Sequence, residues 1–274
     1  MYDISCITDV ARSRNIQIFG MQKCGSGTVS TLCSQVKNMA WNGHSTFISH
    51  PAIIKKFNRI QRNGGIFDDE GFFRYSNGDI NIALIRNPFD LFLSFYFHGM
   101  LGSNNISTHY QSKQWQDKLG YTPESPTVEG FKRFIMSIGQ GKCHFQEFNF
   151  SCFYPYYDER GRFIPDFAFK LESLPELLNR LGIKNDVIDK NGKKRELSSV
   201  RHKSNRPRGN NLTIYDSEMR SIIEHYFNYE LSAFGYSIFG TDDRHVVSRE
   251  STQTIPMDRL KRFYIDIPPI IPTR

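Results

Sequence analysis

Three times in the first hundred residues a short apolar run gives way to a turn and then to a stretch with helical spacing. NIQIFG, ending at Gly20, leads into a predicted helix over 26–37. STFISH, 45–50, leads through Pro51 into AIIKKFNRIQR, whose apolar residues at 53, 54, 57 and 60 repeat at helical intervals. INIALIR leads through Asn87 and Pro88 into FDLFLSFYFHGM. There Asn87 suits an N-cap and Pro88 a first helical position. That helix is apolar on nearly every face, which predicts burial. Strands alternating with helices predict an α/β fold with a largely parallel sheet and ligands at the carboxyl ends of its strands.

The pattern loosens beyond residue 102, where turn-rich pieces surround a helix expected over 128–138. FAFKLE reads as a further strand and SLPELLNRLG as the helix after it, with Gly182 as its stop. A polar, basic segment over 184–210 precedes a long helix, YDSEMRSIIEHYFNYELSAFG. After Gly240 the chain is polar and then proline-rich, without helical period. The expected organisation is one domain over 1–240 and a C-terminal extension over 241–274 that packs on or near it. The aromatic run FYPYY, 153–157, reads as core before it reads as a pocket wall.

The first turn carries the chemistry. GMQKCGSGTVSTLC, from Gly20 to Cys33, has the composition of a loop that wraps an anion in backbone N–H donors at a helix start. Gly20 and Gly25 have the GxxxxG spacing of a P-loop, yet Ser26 and Gly27 stand where Lys and Ser or Thr should follow. The loop's lysine is Lys23 instead. Losing the lysine–hydroxyl pair beside a magnesium ion disfavours phosphoryl transfer and suits a group such as SO₃ that needs no metal.

Composition adds bounds rather than direction. With 274 residues, 39% of them hydrophobic and 23 of them phenylalanine, the chain can bury a large core. A formal charge of +7 fits an anionic substrate and equally a basic surface. The five cysteines form no CxxC pair, so neither a zinc site nor a disulfide framework follows. No segment approaches the length of a membrane span and the N-terminus has no signal-peptide run, so the expected setting is cytoplasmic.

Four pieces in order carry a family resemblance. QKCGSGT resembles the 5′-phosphosulfate loop of sulfotransferases that use 3′-phosphoadenosine 5′-phosphosulfate (PAPS), a loop of the type PKxG[ST][ST][ST]. RNPFDLFLSFY is similar to the family's RxPxDxxxSxY motif at Arg86, Pro88, Asp90, Ser94 and Tyr96. FKLESL resembles its late strand, and YFNYELSAFGY its closing helix. Gln22 replaces the usual proline and Gly27 one of the hydroxyl residues.

The resemblance implies a P-loop-NTPase-like sulfotransferase fold, a parallel central sheet flanked by helices. It implies PAPS as donor, 3′-phosphoadenosine 5′-phosphate as product, and no metal. Lys23, Cys24, Gly25, Ser26, Gly27 and Thr28 would hold the 5′-phosphosulfate, with Lys23 also at the bridging oxygen. Arg86 and Ser94 would take the 3′-phosphate; a salt bridge from Arg86 to Asp90 is the plainer alternative. The late basic loop adds Arg206 and Arg208, with Lys203 behind them, unless that run is only a solvated loop. For the base that deprotonates the acceptor, the candidates are His50, read as ending the second strand, then His98, then Asp68 or Glu70.

The implied reaction is sulfuryl transfer to a hydroxyl or amine of a small-molecule or sugar acceptor, by in-line displacement, without nucleic acid or membrane as partner. The alternatives are a glycan or tyrosine O-sulfotransferase, a small-molecule kinase lacking its GK[ST], and an anionic-ligand binding module built on the basic 184–208 segment.

Overall fold

The structure, a computed structural model, describes residues 5, 7–9, 14–20, 29, 33, 39–41, 66–67, 73–74, 80–99, 127–140, 156–157, 161–181, 186–188, 194–196 and 211–256. The chain forms two compact units: one of residues 1–86, 151–200 and 243–274, the other of 87–150 and 201–242.

The first unit is built on a five-stranded sheet. Its strands are β1 (Ile16–Gly20), β2 (Met39–Trp41), β5 (Ile80–Ile85), β6 (Phe167–Lys170) and β11 (Val246–Ser248), in the order β11-β6-β5-β1-β2. Between β2 and β5 the short strands β3 (Ile66–Phe67) and β4 (Phe73–Arg74) pair with each other, as do β7 (Asp186–Ile188) and β8 (Lys194–Glu196) after β6. β1 runs parallel to β2 and β5, and β5 parallel to β6; β11 alone is antiparallel. The α/β class with a mostly parallel central sheet is as the alternating pattern predicts.

β5 is buried at all six positions, as the centre of a parallel sheet demands. Its apolar run without alternation is the sequence form of that burial. Helix α3 (Leu174–Arg180; α1, Pro88–Gly99, and α2, Val128–Gly139, belong to the second unit) follows β6 through a 3-10 turn, Leu171–Ser173. Tyr156 and Tyr157 are core residues, and the Tyr156 hydroxyl donates to the Leu84 carbonyl at 3.0 Å. At the amino end of the sheet Asp166 ties three segments together. It accepts from Asn81 N at 2.8 Å and from the Arg249 guanidinium at 2.9 Å.

One expectation is corrected. The strand beside β1 is Met39–Trp41, not 45–50. β1 has β5 on one edge and β2 on the other, so both its hydrogen-bonding edges are taken. The 45–50 run lies outside the described residues.

The second unit is helical. It holds α1 (Pro88–Gly99), α2 (Val128–Gly139), α4 (Asn211–Ile214), α5 (Ser217–Phe234) and a hairpin of β9 (Tyr236–Ser237) and β10 (Gly240–Thr241). Its core is aromatic. Tyr96 packs on Phe97, Phe131 and Phe134, and Phe131 meets Tyr215 edge to face. α2 lies where a helix is expected and buries Phe131, Phe134, Ile135 and Ile138, a stripe of 3.6-residue period. Gly130 is in that stripe because a Cβ there would collide with the Tyr96 hydroxyl. Asp216 caps α5 by accepting from Glu218 N and Met219 N, and Gly235, at φ 63°, ends it in the left-handed conformation.

Candidate active site

The carboxyl ends of β1 and β5 lie side by side, since Gly20 stands across from Leu84, one strand spacing of about 4.8 Å away. After the glycine-rich stretch of sequence, Val29 and Cys33, four residues apart, are helical and buried. A strand ending at Gly20 and helical residues at Val29 and Cys33 therefore follow in the order the sequence predicts. Lys23, Cys24, Gly25, Ser26, Gly27 and Thr28 themselves lie outside the described residues. Burial pushes the Cys33 thiol up to about 12, so it holds its proton and is no nucleophile.

Beyond Ile85 comes Arg86, half-buried at the mouth of the sheet. Asn87 then opens α1 as expected: its Oδ1 accepts from Phe89 N at 3.1 Å, and its carbonyl from Leu91 N at 2.9 Å. Its amide has a second role that sequence spacing did not suggest. Nδ2 donates to the carbonyls of Ser237 at 2.8 Å and Gly240 at 2.9 Å, pinning the β9–β10 hairpin. The turn that starts α1 is thus bonded to the hairpin that follows the FGY sequence.

α1 discriminates among the residues of its motif. Pro88, Phe89, Leu91, Phe92, Leu93, Tyr96 and Phe97 are buried, whereas Asp90 and Ser94, one turn apart, are not. Among the described side chains of α1 those two form the one incompletely buried stripe. Tyr96, the last member of the motif, belongs to the aromatic core. His98 lies one turn beyond Ser94 in the helix.

His50, Asp68, Glu70, Lys203, Arg206 and Arg208 lie outside the described residues. The topological ground for His50 changes, because the strand flanking β1 ends at Trp41, nine residues earlier. One polar pair was not anticipated: Ser173 Oγ and His245 Nδ1, 2.8 Å apart and 72 residues apart in sequence. Ser173 lies in FKLESL but His245 lies in none of the four pieces, so only the fold brings them together.

A sequence model described as the sulfotransferase family matches residues 8–237. The chain belongs to the sulfotransferase family. That assignment accounts for the four pieces in order, and with it comes a sulfotransferase activity on an α/β scaffold. No curated protein and no solved structure matches the chain. Among the described residues no helix is long and apolar enough to cross a membrane.

Proposed function

We propose that the protein transfers a sulfuryl group from PAPS to a hydroxyl or amine of a small-molecule or natural-product acceptor by in-line displacement. The observation that carries this reading is the arrangement around Arg86. A half-buried guanidinium follows the central parallel strand, and the helix after it leaves Asp90 and Ser94 as its open stripe. A planar, permanently charged donor fork at the carboxyl end of a parallel sheet suits a phosphate. A hydroxyl on the next helix suits a further hydrogen bond to it.

The described residues fit the nucleotide donor, which when bound supplies an activated sulfuryl group. Arg86 and Ser94 would hold the 3′-phosphate, and Arg206 and Arg208 would cover it. The N–H groups of Gly25–Thr28 would cradle the 5′-phosphosulfate at the positive end of the helix containing Val29 and Cys33. Lys23 would offset the negative charge that grows on the bridging oxygen. A neutral histidine, His50 or His98, would take the acceptor's proton.

Isothermal titration with adenosine 3′,5′-bisphosphate tests the donor site. Binding should survive EDTA, and adenosine 5′-monophosphate should bind more weakly. Arg86→Ala should weaken the bisphosphate by about 2–4 kcal/mol through loss of two charge-assisted bonds. Adenosine 5′-monophosphate should be nearly unaffected. Magnesium-dependent ATP binding without 3′-phosphate preference would instead support a kinase.

A further inference from the structure

The carboxyl edge of the sheet carries a second polar cluster that the donor reading does not use. Ser173 ends the 3-10 turn that follows β6, and His245 directly precedes β11, which runs antiparallel to β6. Their 2.8 Å bond therefore forms beyond the carboxyl end of β6, on the edge where Arg86 follows β5. The His245 carbonyl accepts from Lys170 N at 3.1 Å, and Lys170 stands across from Ile85. His245 is thus two strand spacings from β5, roughly 10 Å.

Ser173 is buried, while His245 is only half-buried. With Nδ1 engaged by the hydroxyl, Nε2 is the nitrogen left for a ligand. A serine donating to Nδ1 leaves the neutral ring with its hydrogen on Nε2. A serine accepting from Nδ1 fits the charged ring, which also has hydrogen on Nε2, or the neutral Nδ1–H tautomer, whose Nε2 only accepts. An anion at Nε2 selects the two forms that have hydrogen there.

We propose that His245, oriented by Ser173, is a specificity-determining contact to the 3′-phosphate end of the nucleotide donor, its Nε2–H donating to a phosphate oxygen. The inference rests on the donor reading above. Strand order argues for this end of the donor and against service as the acceptor's base. In the order β11-β6-β5-β1, the end of β1 and the residue before β11 lie on opposite sides of β5. His245 also lies beyond the matched residues 8–237, so the contact comes from this chain's own C-terminal strand.

Titration of the full chain with adenosine 3′,5′-bisphosphate and adenosine 5′-monophosphate tests the proposal. His245→Ala should weaken the bisphosphate about 10- to 100-fold, the range for a hydrogen bond to a charged group, with the monophosphate within about two-fold. His245→Gln, whose amide also donates, should keep part of the selectivity. Ser173→Ala, which only releases the ring, should lose less than His245→Ala. Unchanged bisphosphate affinity in a folded His245→Ala, or equal losses for both nucleotides, overturns the proposal. Should His245→Ala fail to fold, full selectivity in both His245→Gln and Ser173→Ala overturns it. A wild-type chain with no 3′-phosphate preference removes the donor reading and this inference together. A preference that survives every His245 and Ser173 variant removes the inference alone.

Discussion

Asn87 shows how much one side chain can hold. It is 1% exposed, and its amide serves the helix start and the hairpin at once. Asn87→Ala would strand two carbonyls and one N–H, only part of which water can reach. A loss of about 2–4 kcal/mol is expected, because each unsatisfied buried group costs more than an ordinary hydrogen bond contributes. Asn87→Asp should do no better: a carboxylate can still accept from Phe89 N but faces two carbonyl oxygens with no hydrogen to offer. Urea unfolding measures both. Full stability in either variant would mean that the hairpin is held by other contacts. The cap itself was legible from Asn-Pro before an apolar run, since capping is local. The bonds to Ser237 and Gly240 span about 150 residues, and no local pattern encodes them.

At the scale of elements, α5 depends on its first turn. Asp216 caps it and also meets Lys132 of α2 at 2.6 Å. The Lys132 hydrogen bond, then that of Met219 N, hold the carboxyl below its ordinary 3.8. A carboxyl depressed on folding stabilises the folded chain above its ordinary value, and the contribution disappears as pH falls through the depressed one. Asp216→Ala should therefore cost about 1 kcal/mol at neutral pH, the usual worth of an N-cap. Asp216→Asn should cost less, and its difference from wild type should vanish in acid. Urea titrations at pH 7 and below pH 3 check this; a difference that persists in acid would show that charge is not its source. Long, strongly periodic elements such as α2 and α5 were readable because burial writes their period. β2 and β11 were not. Each is three residues long, and MAW and VVS become strands only because β1 and β6 offer them an edge. The STFISH run has the better local strand signal, which is why His50 was given a neighbouring position that β2 occupies.

For the molecule as a whole, the sheet divides its work between its two ends. Arg86, Ser173 and His245 gather at the carboxyl edge, while the amino edge is tied by Asp166, Asn81 and Arg249. The Arg249–Asp166 pair is largely buried, its side chains 18% and 15% exposed. The Arg249 guanidinium also donates to the carbonyls of Ile164 at 2.6 Å and Pro165 at 3.2 Å. Farther on, Ile255 N donates to the Gly161 carbonyl at 2.9 Å, a further tie between the C-terminal segment and the rest of the first unit. Val246, Val247 and Ser248 are 2% exposed or less, so β11 is part of the core although the family match stops at 237. Ending the chain after Asp242 would keep every matched residue yet uncover the edge of β6 and leave Asp166 without its cation. Such a chain is expected to lose cooperative unfolding, followed by circular dichroism in urea. Arg249→Ala isolates the charge component. It should cost about 3–5 kcal/mol, the range for removing one partner of a buried pair. Its affinity for adenosine 3′,5′-bisphosphate should nevertheless stay near wild type, because the pair sits at the end of β6 opposite the proposed donor edge. If the truncated chain unfolds as cooperatively and at the same urea concentration as the full one, β11 covers the sheet without supporting it. If Arg249→Ala loses nucleotide affinity in proportion to stability, the two ends of the sheet are coupled rather than separate.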